Sequence, residues 1–319
     1  MDNICNKNKL IILTGPTAVG KTDLSLKLAK MVDGEIISAD SIQVYKHLDI
    51  GSAKITPNEM DGVRHHLIDV LDPRESFNVA TFKEMADKAI EDIYSRDKLP
   101  IITGGTGFYI QSVLYDVDFT ENEDDGYRNK LEELSKSKGA EYLHNMLSEI
   151  DPVSAENIHA NNVKRVIRAL EFYHQTGQLI SDHNATEAAK ESPYNFAYFV
   201  LNCDRKLLYD RIDKRVDIMM EQGLVNEVKY LKDELGLTKN LVSMQGLGYK
   251  EILSYLNNEI SLDEAIYILK RDTRHFAKRQ LTWFKREKDV TWVNKDELVT
   301  ENSQLEFIMN ELKARNIIS

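Results

Sequence analysis

The chain has 319 residues, 42% of them hydrophobic and 29% charged, with 41 Lys and Arg against 52 Asp and Glu for a net charge of −11. That length exceeds one ordinary core and implies a main domain plus an insertion or second lobe, while the acidic balance argues against a uniformly basic nucleic-acid-binding surface and leaves room for a local basic groove. The two cysteines, Cys5 and Cys203, stand in no C-x-x-C arrangement, which excludes a disulfide framework and reads as two reduced thiols.

The run Leu10-Ile11-Ile12-Leu13 predicts a first strand over Lys9–Thr14. It leads into Gly15-Pro16-Thr17-Ala18-Val19-Gly20-Lys21-Thr22, a complete G-x-x-x-x-G-K-[ST] loop, and a helical pattern over Asp23–Val32 follows. In that context the loop amides can wrap a polyphosphate and the helix points the positive end of its dipole at the same anion. Lys21 supplies a mobile ammonium, and the Thr22 hydroxyl can take a Mg²⁺ position. Alone, the loop is an ATP-binding-like motif and reads as a nucleoside triphosphate site.

A second strand, Gly34–Ser38, ends in Ser38-Ala39-Asp40-Ser41 and puts Asp40 on the same rim of the sheet. A carboxylate there can bind metal or take a proton from a nucleophile; alternatively, Asp40 and Ser41 cap the next turn. His65-His66 is not read as a metal site, because neighbouring side chains point apart and no third ligand follows. A helix over Ala80–Ser95 precedes Pro100 and a third strand, Leu99–Thr103. After it, Gly104-Gly105-Thr106-Gly107 stands where a phosphate-loop ATPase carries its metal-binding Asp. The glycines either permit close approach of a ligand, to which Thr106 can donate, or serve a tight turn needing positive φ. Alternating β and α units predict a parallel sheet covered by helices, with ligands at the C-terminal strand ends.

Asp116 to Asp125 carries six carboxylates and no Lys or Arg, a solvated hinge in this reading. Tyr127 to Gly177 is helical in pattern, with Leu143, Met146, Leu147 and Ile150 on one face. The polar stretch Ser181–Ser192 closes that segment at Pro193. Phe196–Leu201 then reads as a buried strand, and Val290–Val293 as a last one. The expected organisation is a phosphate-loop NTPase-like α/β core over 1–116, an all-helical insertion over 117–193, and the mostly helical rest of the core over 194–319.

On Asp204–Gln222, Arg211 and Arg215 share a helical face. They read as a lid closing on phosphates or as a surface face paired with Asp213 or Asp217. Lys164, Arg165 and Arg168 form a basic patch in the insertion. Arg271 to Lys288 holds seven Lys and Arg against two acids and includes Trp283, with Arg271, Arg274 and Lys278 on one face. Basic stripes with aromatics suit nucleic-acid contact, and solvated helix faces look the same. No apolar run reaches the length of a membrane span, and the short apolar N-terminal patch is not a signal peptide. A cytoplasmic monomer is expected.

Taken in order over about residues 9–285, these blocks resemble the tRNA dimethylallyltransferase (isopentenyl-tRNA transferase) family. The resemblance rests on Gly15–Thr22, Asp40-Ser41, Tyr45-Lys46, Asp49-Ile50-Gly51-Ser52-Ala53-Lys54 and Gly104-Gly105-Thr106. It continues through His159-Ala160-Asn161-Asn162, Arg165, Arg168-Ala169-Leu170-Glu171 and Gly248-Tyr249. It ends with Thr273-Arg274, Ala277-Lys278-Arg279-Gln280 and Thr282-Trp283.

The resemblance implies transfer of a dimethylallyl group from its diphosphate to the exocyclic amine of the adenosine immediately 3′ of the anticodon. By position, Gly15–Thr22 and Arg211 then hold diphosphate, with Thr22 on Mg²⁺. Asp40 matches the general base, and Asp40, Ser41, Ile42 and Gln43 touch the extruded adenosine. Thr106 and Arg128 match tRNA-contacting positions. Lys164–Arg168 and Gln245–Lys250, including Gly248, match segments lining the anticodon stem-loop, the second of them less basic than the family pattern; Arg274, Lys278 and Arg279 extend the basic stripe. Asp40, Thr106 and Arg215 form the expected catalytic group, Arg215 countering charge on the leaving diphosphate. The rivals are a nucleotide or small-metabolite kinase, an adenylate isopentenyltransferase using free nucleotide, and a nucleotide-dependent switch. The Arg271–Lys288 stripe disfavours the first two, and no water-positioning residue supports the third.

Overall fold

The computed structural model describes residues 7–119 and 126–319. Part of the carboxylate-rich stretch (120–125) and Cys5 lie outside the described residues. The chain divides into two compact units, one formed by Met1–Leu114 with Pro193–Ser319 and the other by Tyr115–Ser192.

The first unit opens with β1 (Asn8–Thr14), α1 (Lys21–Met31), β2 (Gly34–Ala39), β3 (His65–His66), α2 (Val79–Tyr94), β4 (Leu99–Gly104) and α3 (Gly107–Leu114). The second unit is α4 (Tyr127–Lys138), α5 (Ala140–Ile150), α6 (Pro152–Asn157), α7 (Val163–Thr176) and α8 (Ile180–Ala189). The chain then returns with β5 (Tyr194–Asn202), α9 (Arg205–Glu221), α10 (Leu224–Asp233), α11 (Tyr249–Leu256), α12 (Leu262–Phe284), β6 (Val290–Asn294) and α13 (Glu301–Ala314).

The six strands form one sheet in the order β3-β2-β4-β1-β5-β6, every pairing parallel. This is a phosphate-loop-like parallel sheet flanked by helices. A parallel strand covered on both faces needs apolar residues at successive positions, which is why Leu10 to Leu13 in β1 and Ala197 to Leu201 in β5 are all fully buried. The α1 and α13 faces close over them, with Leu24, Leu28, Leu305 and Ile308 in the same core. Caps fix several helix starts: Asn78 accepts from Thr81 N, Asp204 from Lys206 and Leu207 N, and Ser261 from Glu264 N.

His65-His66 forms a short edge strand. His66 Nε2 meets Glu35 Oε2 at 2.8 Å, and Arg96 Nη2 donates to the same oxygen at 2.7 Å. Burial alone would raise the Glu35 carboxyl, but the hydrogen bonds from Arg96 and His66 outweigh it and hold it below its usual value.

In the second unit, Leu131, Leu143, Leu147, Val166, Ile167 and Leu170 pack as one core. The polar stretch Ser181–Ser192 that closes this unit is helical over most of its length as α8. It buries no residue, so no apolar stripe marks it; Ala185, Ala188 and Ala189 supply propensity instead.

Candidate active site

In an all-parallel sheet, the loops after β1, β2, β4, β5 and β6 share one rim. The Gly15–Thr22 loop leaves β1 at the centre of the sheet and runs into α1. Gly20, at φ 92°, is the left-handed residue before the helix, and no side chain caps α1. The first-turn amides therefore point into the loop with no helical acceptor. Lys21 Nζ lies across the loop, donating to Gly15 O at 3.0 Å and Pro16 O at 2.9 Å. Burial, and then the neighbouring Arg215, pull its ammonium from an ordinary 10.5 down to about 7, against the opposing charge of Asp40. Burial also lowers Arg215, again opposed by Asp40. Lys21, Arg215 and Asp40 are thus coupled by charge, and a bound anion would favour the protonated form of Lys21.

Asp40 caps the turn after β2 and keeps one carboxylate oxygen out of that cap. Its Oδ1 caps the turn, accepting from Ile42 N at 2.8 Å and Gln43 N at 3.2 Å. Among the described residues no hydrogen bond reaches Oδ2, which leaves that oxygen available to take a proton. Gln43 braces the same turn by donating to Ser52 O at 3.2 Å and Ala53 O at 3.3 Å.

The glycines after β4 answer to crowding. None of Gly104, Gly105 and Gly107 has positive φ, so the tight-turn reading fails, and the groups that approach them are the protein's own. A Cβ at Gly104 would stand 2.2 Å from Ala39 O, one at Gly105 2.1 Å from Gln280 Nε2, and one at Gly107 2.2 Å from the Trp283 indole. Thr106 N donates to Ala39 O at 3.3 Å, and Thr106 O accepts from Tyr109 N at 3.0 Å. Thr106 therefore stands at the start of α3, tied to the residue before Asp40, and its hydroxyl makes no hydrogen bond among the described residues.

The two arginines of α9 part company. Arg215 is coupled by charge to Lys21 and Asp40, whereas Arg211 is exposed and lies with Lys295 near the buried Cys203 thiol, which burial raises against both cations. Asp213 and Asp217 do not pair with them: Asp213 takes Arg274 and Asp217 takes Lys270, both from α12. The acids of α9 therefore anchor α12, and they neutralise Arg274 within the basic stripe. Arg271 is likewise paired, with Asp272 at 2.8 Å. Lys278 and Arg279 are exposed.

Gln245–Lys250 packs against the turn that follows β2. A Cβ at Gly246 would stand 3.0 Å from Ile42 Cδ1, and Tyr249 Oη accepts from Ser52 N at 3.1 Å while donating to Glu227 Oε1 at 2.9 Å. Gly248 is left-handed at φ 96°, its N–H donating to Glu251 Oε2 at 2.8 Å, and Lys250 lies 3.5 Å from Glu251. In the second unit, Arg128 makes a two-pronged pair with Glu171 at 2.9 and 2.6 Å, and Arg168 adds a third contact at 3.1 Å. Lys164 and Arg165 are exposed in the first turn of α7, which contains no acid. Cations there oppose the helix dipole, so helix stability does not explain them.

A family model described as IPP transferase matches residues 43–287. A tRNA dimethylallyltransferase of Lachnoclostridium phytofermentans is 60% identical over 310 residues, 97% of this chain and 99% of that protein. This chain belongs to the IPP transferase family. Among solved IPP transferase structures, the full-length tRNA isopentenylpyrophosphate transferase of Bacillus halodurans is 45% identical with a TM-score of 0.72, covering 97% of this chain and 98% of that one. A eukaryotic dimethylallyltransferase acting on tRNA is 30% identical with a TM-score of 0.82, covering 97% of this chain and 80% of that one.

Three contacts of this IPP transferase site are not visible in the sequence. Gln280 bonds the phosphate loop from α12, accepting from Thr17 N at 2.9 Å. Lys295 holds the same loop from the end of β6, donating to Val19 O at 3.1 Å. Glu227 gathers the amides of Ile50 and Gly51 at 2.7 and 3.2 Å. Each is a single polar residue reaching across more than a hundred positions, and no local spacing marks such a contact.

Proposed function

We propose that this chain transfers a dimethylallyl group from dimethylallyl diphosphate to the exocyclic amine of the adenosine 3′ of the anticodon in tRNA, giving N6-dimethylallyladenosine and diphosphate. The reading is supported chiefly by Lys21, which bonds the phosphate loop at Gly15 O and Pro16 O and is coupled by charge to Arg215 and to Asp40 at the end of β2, the cations serving the leaving group and the carboxylate the acceptor. An adenine amine is a weak nucleophile because its lone pair is delocalised into the ring. A carboxylate at Oδ2 of Asp40 taking the amine proton supplies about 10²–10⁴-fold. The loop amides, Lys21 and Arg215 hold the charge that collects on the departing diphosphate, and Thr106 orients the acceptor at the N-terminus of α3. The base is reached outside the stack, at least cost in a single-stranded loop.

Mg²⁺ suits this site by the chemistry of its donors. The described residues hold no group of three or more His, Cys, Asp or Glu placed to bind a metal ion, while the Thr22 hydroxyl is exposed in the first turn of α1 with no hydrogen bond among the described residues. A hard cation that keeps its waters and shares one hydroxyl with substrate phosphates fits that set. Held by Thr22, it would offset charge on the diphosphate oxygens.

Arg128, Lys164, Arg165, Arg168, Gln245, Gly248, Lys250, Arg274, Lys278 and Arg279 are assigned to tRNA contact, and Arg211 to the donor side. The two first-turn cations of α7, exposed and without an acidic partner among the described residues, are the physical support for that assignment in the second unit. No helix among the described residues is long and apolar enough to cross a membrane, and a cytoplasmic monomer completes the proposal. Incubation with Mg²⁺, labelled dimethylallyl diphosphate and bulk tRNA tests it: label should enter tRNA with release of diphosphate. No label in tRNA, with ATP consumed on a small metabolite instead, would favour a kinase.

A further inference from the structure

We infer that Gln280 is a positioning residue of the transfer reaction, setting the distance between the diphosphate loop and the acceptor-side turn; this rests on the prenyl-transfer reading above. Gln280 sits in the last turns of α12, remote in sequence from both loops, and its side chain is buried at 5% exposure. Both ends of its carboxamide are used. Oε1 accepts from Thr17 N at 2.9 Å, and Nε2 donates to Gly105 O at 2.9 Å.

The two contacts fall on the two halves of the site. Thr17 belongs to the phosphate loop, and its amide follows Pro16, which has no N–H of its own. Gly105 precedes Thr106, whose amide donates to Ala39 O at 3.3 Å, one residue before Asp40. The turn is clamped between these neighbours, since a Cβ at Gly104 would stand 2.2 Å from Ala39 O and one at Gly105 2.1 Å from Gln280 Nε2. One carboxamide therefore ties the leaving-group cradle to Thr106, and through Ala39 to Asp40.

Bond formation to the amine nitrogen and departure of the diphosphate oxygen occur on the same allylic carbon. That carbon must lie between the two loops, so their separation fixes whether the amine is in line. A misplacement of about 1 Å costs on the order of 100-fold in such a step. It also admits water: the allylic carbon then takes a water oxygen, the diphosphate leaves, and dimethylallyl alcohol with one released proton replaces prenylated tRNA.

The test compares wild type with Gln280→Glu and Gln280→Met at a temperature where melting curves show each folded. Glu keeps the acceptor for Thr17 N and sets an oxygen against Gly105 O; Met keeps the length and loses both bonds. Single-turnover transfer at saturating dimethylallyl diphosphate and tRNA should fall at least about 30-fold in each, with tRNA and diphosphate affinities changed less than about threefold. Diphosphate released per prenyl group transferred should rise above the wild-type value. In Gln280→Glu the deficit should narrow relative to wild type as pH falls, because a protonated carboxyl can donate to Gly105 O. Transfer within about threefold of wild type in a folded variant overturns the inference. So does a loss that appears wholly as weaker binding with the coupling of release to transfer intact. Failure of wild type itself to prenylate tRNA would sink the underlying reading instead.

Discussion

Lys21 should make diphosphate binding a proton-uptake reaction. Its ammonium sits near 7 because burial and Arg215 disfavour the charge, with Asp40 opposing them. A bound diphosphate adds negative charge at the same spot and restores the proton. With a free-state value of about 7, Lys21 is about 90% neutral at pH 8 and about 10% neutral at pH 6. Binding at pH 8 should therefore take up about 0.9 proton more than in a variant lacking the amine, and at pH 6 about 0.1. The sign follows: affinity is greatest below pH 7 and weakens as pH rises, by about tenfold at pH 8, or roughly 1.4 kcal/mol. Calorimetry of inorganic diphosphate binding in two buffers of different ionisation enthalpy measures the uptake. Lys21→Met isolates the protons of the ligand itself. Arg215→Met should raise the Lys21 value and move the uptake to higher pH. Equal uptake at pH 8 in wild type and Lys21→Met would refute the reasoning.

Asp40→Asn keeps an oxygen to cap Ile42 and Gln43 but cannot take the amine proton; single-turnover prenylation should drop about 10²–10⁴-fold with tRNA affinity retained in a filter-binding assay. Arg128→Met leaves Glu171, 9% exposed, with Arg168 alone, and urea unfolding should show a loss of about 1–3 kcal/mol. Burial would raise Glu171, but bonds from Arg128 and Arg168 outweigh it and lower its carboxyl below 4.5. Its contribution is thus present above that value and lost as pH falls, so the variant's acid unfolding should begin at higher pH than wild type. Glu227→Ala strands the amides of Ile50 and Gly51 and the Tyr249 hydroxyl; a cost of about 1–3 kcal/mol in the same urea measurement is expected.

How much of this was legible in the sequence follows the range of the interaction. The strands, α1 and the phosphate loop are set by residues next to one another, and β1, β2, β4, β5 and β6 lie within two residues of their expected bounds. The loop's surroundings are set by tertiary contact and were legible only in part. Asp40 and Arg215 could be singled out because strand ends and helical faces have fixed geometry. The contacts of Gln280 and Lys295 with the phosphate loop could not be, since a buried amide or ammonium reaching across the fold leaves no periodic trace. The glycines after β4 show the same limit: composition announced a close approach, and only the structure names Ala39, Gln280 and Trp283 as what approaches.

Charge gives the sharpest case. A net charge of −11 and a polyanionic substrate are compatible only if cations are unevenly spent. Arg271 and Arg274, two of the seven cations of the stripe, are paired with Asp272 and Asp213, and Lys270 just before it with Asp217, so part of the stripe that first pointed to RNA also serves the fold. Lys164 and Arg165 instead stand exposed where the helix dipole disfavours them. A cation held against its local electrostatics is better evidence of a ligand than one with an acid beside it. On that ground the first turn of α7, with fewer charges, carries the stronger argument for tRNA contact than the longer basic run of α12.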